Sequence, residues 1–344
     1  MRQRDEHRPE GAGEQAPVLT RAGLLQALGA AQRAPSVHNT QPWRWRLAPD
    51  QVRLIADRSR SLPATDPTGR ELRISCGAVL HHLVTVLRAV GQAAVVQRFP
   101  DPADPWLLAA LHMSPTAPGP DDLALAAAVP TRRTDRRPYA DWPVPQGWWH
   151  VLTTTAAVHG AQLLAVEPDA RWAVGQLAEA AAAQLASVPG VAAETRAWSG
   201  RPTGTSDGVP AALVPTGPDS ASVPRRSFAA AQLPQPVGPL PEGDGALLAV
   251  LATDVDDEVH QLRAGEALSA ILLHATAAGF ASHTISEVVE VSETRRRLAE
   301  EVSAGHLAPQ VLLRIGWSPA GNARLPATGR RAVTDTVDPG ELPC

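Results

Sequence analysis

Two short segments concentrate the side chains that could hold a ligand. The first, Arg33-Ala-Pro-Ser-Val-His-Asn-Thr-Gln-Pro-Trp43, sets Ser36, His38, Asn39, Thr40 and Gln41 between Pro35 and Pro42. Two prolines lower the entropy lost in holding such a loop still. The Asn39 carboxamide offers donor and acceptor together, the combination that reads an imide edge such as that of an isoalloxazine, and Ser36 can bond a ring or ribityl oxygen. A structural loop whose hydrogen bonds satisfy one another is the alternative. The second segment, Thr131-Arg-Arg-Thr-Asp-Arg-Arg-Pro-Tyr139, sets four guanidiniums against one carboxylate. Arginine's planar fork holds phosphate oxygens through paired, charge-assisted bonds. Its alternative is a solvated basic turn. Arg330 and Arg331, which follow Pro326-Ala-Thr-Gly, form a further basic pair able to converge on the same anion.

Other patterns carry less. Gly11-Ala-Gly-Glu-Gln-Ala16 fits a dinucleotide fingerprint, but nothing before it reads as a strand, so the motif has no mechanism. HExxH is absent, GxxxxGK[ST] cannot occur in a chain without Lys, and Gly316-Trp-Ser-Pro misses the nucleophile elbow. His81 and His82 are adjacent on a helix, point about 100° apart and cannot share a metal on one face. A structural or surface role is expected for both, and no metal site. The two cysteines, Cys76 and Cys344, are isolated, which excludes a disulfide framework and fits a reducing cytoplasm.

Hydropathy patterning supplies the elements that must position these segments. Thr20 caps a helix with Leu24, Leu25, Leu28 and Ala31 on its apolar face, and Pro35 ends it, so the first segment starts at a helix end. Trp43, Trp45 and Leu47 alternate with polar residues, Pro49-Asp50 turns the chain, and Val52, Leu54 and Ala56 alternate again as a hairpin. A core helix carries Leu72, Cys76, Val79, Leu80, Leu83, Leu87 and Val90 and stops at Gly91. Strands are expected near 94–98 and 107–112, and a helix from Asp121-Asp122 through Ala128 into Pro130, which marks a boundary. Beyond it the pattern predicts helices over 146–159, 169–187, 259–279 and 293–303, and strands over 162–166, 246–253 and 310–317. Mixed α+β is the natural class. From about Trp198 to Pro241 the composition shifts to Pro, Gly, Ser and Thr with scattered apolar anchors, which favours a cover over a linker.

Composition bounds the partners. A chain of 344 residues can hold about two units of core. A net charge of −4 gives no global basic field, which argues against nucleic acid. No apolar run approaches the roughly 20 residues of a membrane span. Residues 1–18 are polar, without a secretion signal's apolar region, and read as a mobile tail. Every basic side chain is Arg and only two Asn occur, a bias under which a retained Asn39 gains interest.

Taken together, Ala34-Pro-Ser-Val-His-Asn-Thr-Gln-Pro-Trp43, Arg132–Tyr139 and the tail through Arg331 resemble the nitroreductase-like FMN proteins, in particular the Acg-type branch of actinobacteria. Arg263-Ala-Gly-Glu-Ala-Leu-Ser-Ala-Ile-Leu-Leu-His274, continuing through Gly279-Phe-Ala-Ser-His-Thr284, looks like the family's core helix and flavin-facing turn. The resemblance implies an α+β nitroreductase-like fold of two related halves fused as a pseudo-dimer, with FMN across their interface. It assigns residues 19–128 to the first half and 129–337 to the second, with a lid inserted at about 198–241. It implies that Pro35, Ser36, Asn39, Arg132, Arg133, Thr134, Arg136, Ser282, Thr284, Arg330 and Arg331 bind the cofactor. The family's RRSxR motif is met with Thr134 in place of Ser, and its aromatic falls one place late, at Tyr139.

As an enzyme such a protein would pass two electrons from NAD(P)H through FMN to an electron-poor acceptor, a nitroaromatic or quinone. No acid or base side chain is obligatory, so no catalytic residue is assigned; His38 and His283 could supply protons but read as structural. A lid closed over the flavin supports a second reading, in which FMN is stored or sequestered without turnover. A monomer suffices for the site, and further dimerisation stays open.

Overall fold

The computed structural model describes residues 19–48, 51–216, 223, 226, 228, 230–234, 245–318 and 324–338. The expected tail over 1–18, the Gly11–Ala16 match, the Pro49-Asp50 turn, Cys344 and parts of the expected lid lie outside the described residues.

Helix α1 (Arg21–Ala31) starts where the Thr20 hydroxyl accepts from Gly23 N at 3.1 Å. A single 3-10 turn, Val37–Asn39, separates it from β1 (Trp43–Leu47) and β2 (Val52–Ala56). Both strands alternate buried and half-buried residues, as a one-sided strand must. Helix α2 (Arg70–Ala89), β3 (Gln92–Arg98), β4 (Leu107–Pro115) and α3 (Pro120–Ala128) complete the first half. Its sheet is antiparallel in the order β1-β2-β4-β3.

The second half runs through α4 (Gln146–Val158), β5 (Gln162–Ala165), α5 (Arg171–Ser187), α6 (Val191–Trp198), β6 (Ser199–Arg201) and β7 (Val209–Pro210). It continues through β8 (Leu247–Thr253), α7 (Glu258–Ala277), β9 (Ala281–Ile285), α8 (Glu287–Glu290), α9 (Ser292–Ser303) and β10 (Ala308–Gly316). Its main sheet is antiparallel in the order β5-β8-β10-β9. Each half therefore repeats one scheme of strand, strand, helix, strand, strand with one strand order. They differ in what is inserted: α5, α6, β6 and β7 between the first two strands, and α8 and α9 between the last two. Patterning had left 188–245 irregular and so passed over α6, an eight-residue helix with only Val191 buried.

The two long helices cross at the centre through a reciprocal pair of glycines. A Cβ on Gly77 would lie 1.9 Å from the Leu262 carbonyl oxygen, and one on Gly265 would lie 1.9 Å from that of Ile74. The pairs Gly77 and Gly265, Ile74 and Leu262, Ala78 and Glu266 share one spacing along the chain, so the crossing is locally two-fold. Helix α2 is consequently buried on nearly every face, and its polar residues find internal partners. His81 and His82 both reach the Ser269 hydroxyl of α7, at 2.8 and 2.7 Å, a buried structural role for each. Arg98 pairs with Glu266 through two contacts of 2.7 Å.

The chain end returns to the first half. Trp45 N donates to Thr336 O at 2.6 Å, Asp338 N to Trp45 O at 2.9 Å, and Val337 joins the core between β1, β2 and α2. Residues 324–331, which precede this return, are thereby drawn over the junction of the halves. Among the described residues no helix is long and apolar enough to cross a membrane, and no group of His, Cys, Asp and Glu is placed to hold a metal.

Candidate functional site

The loop after α1 is held open by its neighbours. Val37 N donates to Ser75 Oγ at 3.1 Å, Gln41 N to Ser36 Oγ at 3.0 Å, and Thr40 Oγ1 to Val37 O at 2.9 Å. Gln41 is clamped on both sides, its Nε2 donating to Ser206 O at 2.8 Å and its Oε1 accepting from Arg331 N at 2.9 Å. Held this way, His38, Asn39 and Gln41 take φ values of 48°, 56° and 51°. The left-handed region costs non-glycine residues of order 1–3 kcal/mol each and is found where the surroundings over-determine a functional conformation.

Opposite lies the basic segment after α3. Thr134 bridges to Ser282 of β9, Asp135 N donates to Ser282 O at 2.9 Å, and Tyr139 Oη donates to Asp135 O at 2.8 Å, which fastens the segment to the second sheet. Asp135 takes Arg137 through contacts of 2.9 and 2.7 Å. The segment's one carboxylate is thus spent on Arg137. Arg132 reaches back to the first half, where its guanidinium donates to Arg33 O at 3.0 Å, and Arg330 donates to Arg33 O and Ala34 O at 3.2 Å each.

Two adjoining cavities lie between loop and segment. The outer is lined by Arg33, Pro35, Ser36, His38, Asn39, Arg132, Arg133, Thr134, Arg136 and Arg330, with Gly208, Val209, Pro210, Leu213, Leu325 and Thr328 across from them. The inner shares Pro35, Ser36, His38, Thr134 and Arg136 with it. Ile74, Ala78, Leu268 and Val311 give the inner cavity an apolar floor, and Glu71, Ser75, Thr284, Ser286 and Glu287 a polar rim.

The electrostatics of the outer cavity are those of an anion site. Among the described residues no carboxylate pairs with Arg132, Arg133 or Arg330, and the Nε of each is buried without a hydrogen-bond partner. Burial, then repulsion from Arg133, pushes the Arg132 pKa down to about 10. Burial, then repulsion from Arg132, Arg33 and Arg133, pushes Arg330 down to about 9. Uncompensated buried charge is expensive, and a bound anion would remove that cost. Asn39 Oδ1 is likewise buried and unpartnered. A phosphate at the arginines and a flat ring over the apolar floor fit what these groups lack.

No family model matches the chain. It is 44% identical over 316 residues to the "Putative NAD(P)H nitroreductase Rv3131" of Mycobacterium tuberculosis (strain ATCC 25618 / H37Rv), covering 92% of this chain and 91% of that one. It is 34% identical over 325 residues to the "Putative NAD(P)H nitroreductase acg" of the same strain, covering 92% and 96%. The chain belongs to this nitroreductase family. Among solved structures, a nitroreductase with bound FMN from Bacteroides fragilis NCTC 9343 is 14% identical, covering 64% of this chain and 97% of that one with a TM-score of 0.38.

Most of the family-derived site residues come together. Pro35, Ser36, Asn39, Arg132, Arg133, Thr134, Arg136 and Arg330 line the outer cavity, and Thr284 the inner. Two do not. Ser282 is buried in β9, lines neither cavity and spends its carbonyl on Asp135. Arg331 turns away to donate to Gln41 O at 3.0 Å and to pair with Asp57 at 3.4 Å, so it braces the loop. Asn39 keeps only its acceptor for a ligand, because Nδ2 already donates to Gly208 O at 3.0 Å and to Gly329 O at 3.3 Å. Phe228, one of the apolar anchors expected in the cover, lines the inner cavity, whereas sequence reasoning missed Glu71, Ser75, Arg226 and Glu287. The first two sit on a helix whose pattern announced only core, and Arg226 sits in the compositionally loose stretch, where no spacing rule applies.

Proposed function

We propose that this chain binds one FMN and passes two electrons from NAD(P)H to an electron-poor acceptor such as a nitroaromatic or quinone. The observation that carries this reading is the set of buried and half-buried arginines with no carboxylate partner among the described residues, in a cavity that adjoins one with an apolar floor. Arg132, Arg133 and Arg330 would hold the phosphate, Ser36 and Thr134 the chain between phosphate and ring, and Asn39 Oδ1 a donor on the ligand. Bound flavin supplies hydride acceptance and donation, chemistry no side chain here offers. Arg136, which lines both cavities, would stabilise negative charge that develops on the ring. The loop and the basic segment come from different halves, so we take residues 19–128 and 129–337 as fused counterparts of two subunits, with one monomer sufficient for a complete site. No nucleic acid or membrane enters this reading.

A second reading has its own support. Residues 206–208 lie over the loop, with Asp207 paired to Arg60 at 2.6 Å, and Arg226 and Phe228 line the inner cavity. A segment so fastened over the ring would keep nicotinamide out, making the protein a holder of FMN, not a reductase. Two measurements separate the readings. Purified protein should be yellow or should quench added FMN at one equivalent; a colourless protein that ignores FMN would end both. Anaerobic mixing with NADH or NADPH should bleach the flavin band within seconds if the protein turns over, whereas a holder is reduced by dithionite alone.

A further inference from the structure

His38 reads as structural in the sequence, but its surroundings give it a defined chemical state. Its ring lines both cavities and meets Phe228 edge to face at 5.7 Å. One guanidinium nitrogen of Arg226 lies 2.9 Å from Nε2. A guanidinium only donates, so Nε2 must present its lone pair, and the proton of the neutral ring is on Nδ1. Burial, then Arg226 and Arg136, keep the imidazole well below its usual pKa, so the ring stays neutral. Arg226 is itself fixed, paired with Glu290 and lying 3.5 Å from Glu287. Nδ1 is buried and has no partner among the described residues. A buried N–H without an acceptor is costly, and this one is held on a left-handed backbone at φ 48°.

We propose that His38 is a positioning residue: a neutral Nδ1–H donor to an oxygen of the bound flavin where the two cavities meet, with Arg226 setting its tautomer. The inference rests on the FMN reading and makes a claim of its own about the ligand-free protein. The phosphate arginines would fix one end of the cofactor, and this donor would fix the point where the chain enters the ring cavity.

The first test needs no cofactor. Ring ¹⁵N shifts of His38 at pH 7 should show a protonated Nδ1 and a bare Nε2; the opposite tautomer or an imidazolium overturns the proposal. The second compares FMN affinity in wild type, His38→Asn and His38→Leu by fluorescence titration. Asparagine can place an amide N–H where Nδ1 was and accepts a left-handed backbone, whereas leucine fills the space without a donor. Both variants lose the Nε2 acceptor for Arg226, and where the two melt alike, so that the left-handed backbone is kept in both, the contrast between them reports the Nδ1 donor. His38→Leu should weaken FMN binding about tenfold or more, the scale of one lost hydrogen bond, with His38→Asn within about threefold of wild type. Equal losses in both, or no loss in either, overturn the proposal while the FMN reading stands. A wild-type chain that binds no FMN overturns that reading and the acceptor assigned to Nδ1 with it, leaving the tautomer result to stand on its own.

Discussion

At the scale of single residues, the arginines of the outer cavity link stability to binding. Arg132 is 6% exposed, and among the described residues its guanidinium makes one hydrogen bond, to Arg33 O. Replacing it with methionine removes a repelled charge and keeps most of the buried stem. Arg132→Met should therefore leave the ligand-free protein at least as stable by thermal melting, while FMN binding weakens by about 1.5–3 kcal/mol. A variant that melts lower yet binds FMN normally would make Arg132 a structural residue. By the same logic, inorganic phosphate should raise the melting temperature of wild type and do less for the variant. These residues were legible because guanidinium has few uses other than holding anions and pairing with carboxylates, and the segment has one carboxylate for four arginines. What was not legible is which arginine that carboxylate would take. The choice of Arg137 follows from the turn at Asp135, whose carboxylate also accepts from Arg137 N at 3.0 Å. The fate of Arg331 depended on the Gln41 and Asp57 carbonyl and carboxylate oxygens, far away in sequence, and no local pattern announces that.

At the scale of elements, the site depends on how closely α2 and α7 approach. Ile74, Ser75 and Ala78 of α2 and Leu268 of α7 all line the inner cavity, so the crossing that holds the halves together also sets the cavity's floor. Gly77→Ala or Gly265→Ala puts a methyl into a backbone carbonyl, which helices can relieve only by separating. Each should destabilise the fold by about 3 kcal/mol, read as a lowered urea midpoint, and should loosen FMN binding in whatever fraction stays folded. An alanine variant with an unchanged midpoint would mean the helices are not packed backbone to backbone. Element types were readable wherever apolar periodicity was strong, as in α2, α7, β8 and β10. The pattern gave α2 an apolar face, yet that helix is buried on nearly every face, because its Arg70, Arg73, His81 and His82 pair with residues from the other half and Glu71 pairs with Arg70. Periodicity reports burial by apolar residues and is blind to polar residues buried by such pairing. The glycines at the crossing sat inside helices that periodicity had already assigned, where a glycine reads as a weak point, not a contact.

At the scale of the whole molecule, the fusion packs a set of titratable groups between the halves, and their shifts run in two directions. Burial holds His38, His81, His82, His159 and His274 below the usual histidine range, His159 at about 4. Below roughly pH 6.5 the unfolded chain takes up protons that these rings refuse, so stability falls with acid. Glu71 behaves oppositely. Burial raises its carboxyl to about 8, helped by Glu290 and Asp66 and opposed, without being outweighed, by Arg70 at 2.6 Å. Between the ordinary carboxylate range and about 8 the folded state keeps a proton that the unfolded chain has lost, so stability falls as pH rises through that window. Burial also raises Asp66, Glu266 and Glu287, which adds to the same slope. The ligand-free protein should therefore be most stable near the point where the histidine slope ends, about pH 6.5. From there to pH 8.5 its urea midpoint should decline. Glu71→Gln keeps an oxygen for Arg70 and abolishes the titration, so it should flatten most of that decline and steepen the acid limb between the carboxylate range and about pH 6.5, where the Glu71 proton of the wild type opposes the histidines. An unaltered slope in the glutamine variant would mean that Glu71 stays ionised against Arg70 throughout, and that the inner cavity presents a carboxylate, not a carboxylic acid, to whatever ring it holds.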